Sequence, residues 1–237
     1  MIQVNGLTKY YGDKIAAKDI TFKINKGDVF GLLGTNGAGK STTIKMLCGL
    51  LKPSKGSIHI GNTNIQKKPL KAKSLMGYLP ENPNFYDKLT GSETLNLIGK
   101  LRRLSNEHIK QRISYYSKSL GIEDDIHHEV GTYSKGMKQK LAIAMTLIHD
   151  PDVLLLDEPI SGLDPRYTKL FKEWIKNLSA NGKTIILSTH ITEMAETVCN
   201  KIGVIDRGLL LALGTISEIK NGTGANNLED AFVKLIS

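Results

Sequence analysis

At 237 residues, 40% hydrophobic and 23% charged, the chain is long and apolar enough for one large or two small packed units with a core of their own. Its two cysteines, Cys48 and Cys199, stand far apart, which supports neither a disulfide framework nor a zinc site and fits a reducing compartment; no apolar run approaches the ~18 residues that span a bilayer, and the N-terminus lacks the build of a signal peptide, so any membrane role is expected to be peripheral. A formal charge of +9 leaves a nucleic acid, an anionic membrane face or a merely solvated basic surface open, because the lysines are spread from Lys9 to Lys234 and only Lys67, Lys68, Lys71 and Lys73 cluster.

In chain order, the first part reads as strands. Residues 2–7, then 17–24 with Ile20, Phe22 and Ile24 alternating against polar neighbours, then the glycine-bounded run 29–33 fit that pattern. The helical spacing of Ile44, Leu47 and Leu51 follows until Pro53, and a Pro-Ser-Lys-Gly turn leads into a strand over 57–60. From about Pro83 to Asp150 the pattern is all helical. Thr90 and Glu93 form a capping box ahead of Leu95, Ile98, Leu101 and Leu104; Ile109, Ile113, Tyr116 and Leu120 mark a second helix; Asp150-Pro151 stops a third.

Strand and helix then alternate again. Residues 153–156 form a continuous apolar strand, and Asp164 caps a helix with Pro165 at its first position and a core stripe of Leu170, Phe171, Trp174 and Leu178. Asn181-Gly182 ends that helix, 183–189 is a buried strand, 202–205 and 209–213 flank the turn at Asp206-Arg207-Gly208, and short helices start from Thr215 and Asn227. The expected fold class is α/β: a mostly parallel sheet with an antiparallel β portion, built by 1–82 and 151–237, plus an inserted α-helical subdomain over 83–150.

Three motifs carry chemistry. Gly34 to Ser41 read GTNGAGKS, between an apolar strand and a helix, the context that makes G-x-x-x-x-G-K-[ST] a phosphate-binding loop and the core a P-loop NTPase. Gly34, Gly37 and Gly39 let the loop turn N–H groups inward, with Asn36 and Ala38 in the same loop; the helix start then meets the anion, Lys40 reaches the β- and γ-phosphates, Ser41 gives its hydroxyl to Mg²⁺ and Thr42 donates to the α-phosphate. Asp157 and Glu158 end an apolar strand, where carboxylates are costly without a cation: Asp157 would hold Mg²⁺ through its water shell, and Glu158 would orient and polarise the attacking water. Finally, YSKGMKQ at 133–139 precedes a helix that Ser134 would cap, and its glycine and exposed N–H groups make a second anion site, best used on the nucleotide of another copy.

With these motifs in this order, the chain resembles the ATP-binding subunits of ABC transporters over essentially its whole length. GTNGAGKST is similar to the Walker A motif, VLLLDE to Walker B, YSKGMKQ to the family signature, SGLD to the loop that follows, and His190 to the switch histidine. GYLPE and YSKGMKQK look most like ATPases that serve separate membrane subunits in export. The resemblance implies ATP and Mg²⁺ as cofactors, Tyr11 stacked on adenine, Glu158 as catalytic base and His190 at the γ-phosphate. It also implies Ser134 and Gly136 closing on the ATP of the opposite subunit, with Asp164 crossing that interface. Glu81 stands where most of the family has glutamine, keeping an oxygen for Mg²⁺ or water while adding a negative charge. Ile160 replaces a usual polar residue.

The partners so implied are integral-membrane permease subunits and a second ATPase, in a nucleotide-dependent homodimer or a pair with a similar chain, at the cytoplasmic face of the membrane. An ABC-type ATPase acting on nucleic acid or ribosomes is the alternative. Such relatives carry a long coiled-coil insert or a second cassette, neither of which is present in this sequence, so no nucleic acid is expected.

Overall fold

The computed structural model describes residues 1–160 and 165–237. Strands β1 (Ile2–Tyr11), β2 (Lys14–Ile24), β4 (Lys55–Ile60) and β5 (Thr63–Asn64) form an antiparallel sheet in the order β2-β1-β4-β5. A second sheet runs β10 (Leu209–Gly214), β9 (Lys201–Asp206), β3 (Val29–Leu33), β8 (Thr184–Thr189), β7 (Val153–Asp157) and β6 (Met76–Leu79). All its neighbours pair in parallel except β10, which returns antiparallel to β9 through the tight turn at Arg207-Gly208.

Alternate residues of the central strands face two cores. Val29, Leu33, Leu154, Leu156, Ile185 and Leu187 pack into one, against the helices of the insert and of the C-terminal half. Phe30, Leu32, Val153, Leu155 and Ile186 pack into the other, beneath α1 (Lys40–Leu47) and the antiparallel sheet. Burial on both faces is why these strands read as unbroken apolar runs. Phe22 of β2 stacks on Phe30 of β3 with ring centroids 4.9 Å apart, joining the two sheets.

Between β6 and β7, which are neighbours in the sheet, the chain makes an excursion through α3 (Gly91–Leu101), α4 (Asn106–Ser119), a 3-10 turn (Val130–Thr132) and α5 (Lys135–Leu147). Thr90 and Glu93 make the reciprocal capping box at the start of α3, and Ser105 caps α4. The remaining helices are α2 (Pro69–Ser74), α6 (Pro165–Ala180), α7 (Thr192–Val198), α8 (Ile216–Thr223) and α9 (Leu228–Ile236).

Some expectations change. β5, α2, β6 and α7 have no counterpart in the sequence pattern; each is at most seven residues long, shorter than a periodicity can report. On α6 the buried stripe is Tyr167, Phe171 and Ile175: of the expected set Phe171 is buried, Trp174 and Leu178 are partly buried against the core, and Leu170 is 54% exposed. Ile160, which replaces a usual polar residue, is buried in the first core. Asp164, expected to cap α6, lies with 161–163 outside the described residues. Cys48 and Cys199 are both buried, and burial pushes their thiols up to about 12, so neither is a nucleophile near neutral pH.

Candidate functional site

Parallel register brings three strand ends to one edge. Leu33 stands opposite Thr189, and Asp157 opposite Ser188, so the loops leaving β3, β7 and β8 open side by side at the carboxyl edge of the sheet, where open α/β sheets hold ligands. A cavity of about 860 Å³ lies there. Of the expected residues, Tyr11, Asn36, Gly37, Gly39, Lys40, Ser41, Thr42, Glu81, Glu158 and His190 all line it.

The loop from β3 to α1 is shaped by backbone needs. Gly37 has φ +81, and Gly39, the N-cap of α1, has φ +108, a conformation costly for any residue with a Cβ. At Gly39 a Cβ would also lie 2.4 Å from the Ala16 carbonyl oxygen, so β2 and this loop can close together only over a bare backbone. No side chain caps α1 and no acidic residue occupies its first turn. Its leading N–H groups and the positive end of its dipole therefore face the cavity uncompensated, as an anion site requires. Gly34 and Ala38 stand behind the wall: Gly34 N–H donates to Thr189 O (3.3 Å) and Ala38 N–H to Thr35 O (3.2 Å), so these two support the loop's shape.

Lys40 is 5% exposed. Its Nζ donates to Gly34 O at 2.8 Å and Thr35 O at 3.1 Å, and lies 3.1 Å from Glu158 Oε1. That last contact is a charge pair at an angle too poor for a hydrogen bond, which leaves Glu158 Oε1 buried without a hydrogen-bond partner. The other carboxylate oxygen, Oε2, is 3.0 Å from His190 Nδ1, which serves as donor when that nitrogen carries the proton. Glu158 itself has φ +45, a left-handed conformation that costs a non-glycine residue about 1–2 kcal/mol and that collects at functional positions. The turn swings its carboxylate out of the strand line into the cavity.

Asp157, 1% exposed, accepts two hydroxyls on one oxygen: Ser41 Oγ–H donates to Oδ1 at 3.0 Å and Ser188 Oγ–H at 2.6 Å. The Ser188 oxygen in turn accepts the Glu158 N–H at 3.0 Å. Asp157 thus links the first turn of α1 to β7 and β8. Ser41, Asp157 and, at the rim, Glu81 present only oxygens, the donor set of a hard cation. Among the described residues no cluster of three His, Cys, Asp or Glu stands ready to hold a metal alone, so an ion here would need oxygens from a ligand or water, which is the usual arrangement for Mg²⁺ with phosphates.

Sequence reasoning missed several wall residues. Lys14 and Arg207 line the cavity, yet neither belongs to a motif; they arrive through the β1–β2 and β9–β10 turns, the latter tied to the loop by Gly208 N–H donating to Ala38 O at 2.8 Å. Ser188 is visible only in the β7–β8 register. Gln139 of α5 donates to Pro159 O at 2.9 Å in a buried contact, joining the helix after Ser134 to the residue after Glu158.

Ser134 and Gly136 are elsewhere. Ser134 Oγ accepts the Met137 N–H at 3.2 Å and caps α5, and both residues line a separate groove of about 610 Å³ with Tyr167, Leu170 and Trp174 of α6. Within one chain they do not meet the first cavity.

Residues 17–161 match the family described as ABC transporter. The ABC transporter ATP-binding protein NatA of Bacillus subtilis (strain 168) is 37% identical over 238 residues, covering 98% of this chain and 97% of its own. A solved ATP-binding subunit of an ABC transporter superposes with a TM-score of 0.92 at 32% identity over 99% of both chains. A dimeric bacterial ABC transporter cassette superposes with a TM-score of 0.84 at 25% identity, over 91% of this chain and 98% of its own.

Proposed function

Because the chain belongs to the ABC transporter family, as one of its ATP-binding and ATP-hydrolysing subunits, we propose that its cavity holds the triphosphate of ATP between Lys40 and the N-terminus of α1, with Glu158 as the catalytic base. The contacts gathered at this edge carry the reading: Lys40 Nζ lies 3.1 Å from Glu158 Oε1, His190 Nδ1 lies 3.0 Å from Glu158 Oε2, and Asp157 Oδ1 accepts the hydroxyls of Ser41 (3.0 Å) and Ser188 (2.6 Å) beside them. Lys40 stabilises phosphate oxygens as a buried point charge, and the α1 N–H groups of Lys40, Ser41 and Thr42 add directed donors. Tyr11, half exposed with Lys9 Nζ 5.3 Å from its ring centroid, keeps its other face for the adenine ring.

Glu158 has the geometry of a general base. Its Oε1 lacks a hydrogen bond in the buried end of the cavity, and its Oε2 is oriented by His190, so a water beside Oε1 could give up its proton as it attacks. His190, 43% exposed at the lip, fixes the carboxylate and reaches toward the terminal phosphate. Ser41 and Asp157, with Glu81 at the rim, would hold Mg²⁺, whose chemistry when bound is to bridge phosphate oxygens and offset their developing charge.

A second copy completes the site. Ser134 and Gly136 at the start of α5 supply a helix end for an anion that stands apart from the first cavity of its own chain, and the dimeric cassette of the same fold supports pairing. ATP between two copies would draw them together, and hydrolysis would let them part. Gln139, bonded to Pro159 O, connects the two events. The segment 83–150 then acts as a helical subdomain that carries movement to a membrane subunit. A groove of about 340 Å³ lined by Tyr78, Pro83, Ile98, Leu101, Arg102 and Met145 is where such a subunit would dock.

Among the described residues no helix is long and apolar enough to cross a membrane. The likeness to ATP-binding subunits of transporters supports a place on separate permease subunits at the cytoplasmic face, working in export as the motif resemblance implies. The likenesses above are to transporter subunits, which disfavours action on nucleic acid or ribosomes. Glu158→Gln tests the core of the proposal: phosphate release should cease while ATP is retained and dimer accumulates. Rapid hydrolysis by that variant would remove Glu158 from its role.

A further inference from the structure

The excess positive charge of this chain is not evenly distributed. Between Asp28 and Glu81 the sequence holds eight lysines and no acidic residue, so nearly all of the +9 is carried by less than a quarter of the chain. Among the described residues only one of these lysines, Lys40, forms an ion pair with a carboxylate. Lys67, Lys68 and Lys71 project into solvent on and before α2, Lys45 does so from α1, and Lys73 is half-buried. Like charges grouped on one stretch repel one another.

We infer that this face, formed by α2 and the C-terminal end of α1, is a docking surface for the anionic phospholipid headgroups of a bilayer.

Two leucines distinguish a bilayer from other anions. Leu70, between Lys68 and Lys71, is 84% exposed, and Leu50, just past α1, is 59% exposed. An aliphatic side chain set among lysines gains nothing from a phosphodiester backbone but can enter the headgroup layer while the ammonium groups meet lipid phosphates. The Lys73 stem runs past Gly49 (3.5 Å from a Cβ built there), so the two leucine-bearing segments adjoin.

The face is also held rigidly. Asn64 accepts the Lys67 N–H on its side chain and the Lys68 N–H on its carbonyl oxygen, both at 2.9 Å, Pro69 opens α2, and Ala72 is fully buried against the second core. α2 therefore cannot roll its lysines away. Arg102 Nη1 donates to Lys73 O at 2.9 Å, and Arg102 also lines the groove assigned above to the membrane subunit. The lysine face thus begins where that groove ends. Its charge and exposure stand on their own, while its orientation toward the bilayer rests on the groove's assignment.

The test is co-sedimentation of the full chain with vesicles of mixed phosphatidylglycerol and phosphatidylcholine, against phosphatidylcholine alone. At about 0.1 M salt the parent should bind the anionic vesicles only, and raising the salt to about 0.5 M should release it. With each lysine worth about fivefold near an anionic surface, the combined Lys67→Gln, Lys68→Gln, Lys71→Gln and Lys73→Gln variant should lose over about a hundredfold in partitioning; Leu70→Ser should lose less. ATP affinity of both variants should equal the parent's, which separates this test from the nucleotide assignment. Equal binding to neutral vesicles, unchanged binding by the fourfold variant, or lysine-dependent retention of duplex DNA without vesicle binding would each overturn the inference.

Discussion

The two helix starts proposed to meet phosphate, at α1 and α5, are built differently. At α1 the N-cap is a left-handed glycine with no side-chain oxygen, and the helix start faces a cavity furnished with Lys40, Glu158 and His190. At α5 the N-cap is Ser134, which satisfies the Met137 N–H, and the groove beside it is walled by apolar side chains of α6. The first brings a buried lysine and a carboxylate together in one cavity. The second can add donors to a phosphate but has neither a base nor a buried cation of its own, which is the asymmetry expected of a site shared by two copies.

That contrast can be attacked from both ends. The largest effect should come from Glu158→Gln, with phosphate release falling about a thousandfold as the positioned base is lost, and ATP-dependent dimer, seen by size-exclusion chromatography, persisting. Lys40→Ala should weaken ATP binding in the isolated chain by about a hundredfold, measured by calorimetry, since a buried charge-assisted contact to phosphate is removed. If both leave nucleotide handling intact, the α1 cavity is not the site.

Gly136→Asp sharpens the other half. Space exists for the side chain, because a Cβ there would have only Ser134 Oγ at 4.0 Å, and a carboxylate in the first turn of α5 favours the helix. Folding stability should hold or rise slightly and ATP affinity of the single chain should be unchanged. ATP-driven pairing should fall about tenfold, by repulsion of the partner's phosphates. A parallel loss of affinity in the monomer would count against the shared-site reading.

The smallest effect concerns how α5 is anchored at its far end. His149 Nε2–H donates to Met76 O at 2.9 Å, joining the helix to β6, while Nδ1 is buried without a partner. Burial, then the nearby Arg102 charge, pushes this imidazole down to about 4. The unfolded chain takes up a proton near pH 6.5, as free histidine does, and the folded chain does not until about pH 4. The contribution is therefore full above about 6.5 and is lost as pH falls toward 4. Allowing for its partial exposure, a loss of about 1 kcal/mol is expected between about pH 7 and 5 in urea midpoints, and His149→Gln should flatten that slope.

Much of the α1 site was legible from local pattern because a phosphate loop is contiguous: Gly34 to Thr42 occupy one strand-to-helix turn, and Asp157-Glu158 close one apolar strand. The contacts that local pattern does not show share a different origin. Ser188 matters only because β7 and β8 align in parallel, Arg207 because a hairpin folds back on the loop, and Gln139 because α5 lies beside the residue after Glu158. On α6 the expected stripe included Leu170 and left out Tyr167 and Ile175, since Leu170 fits an apolar helix pattern equally well and one residue of phase separates core from groove wall.

Sequence alone determined the chemistry available: glycines where the backbone must turn left-handed, a lysine and serine at a helix start, two carboxylates at a strand end, and an acid-free stretch that concentrates the charge. These depend on residue type and short-range spacing, which the chain carries in itself. Tertiary structure decided which groups meet. Only parallel pairing sets Asp157 beside Ser188 and lets its Oδ1 take the Ser41 hydroxyl, and only the path of the insert leaves Ser134 and Gly136 in a groove apart from the cavity, because contacts between distant segments are settled by packing and register that no local spacing encodes.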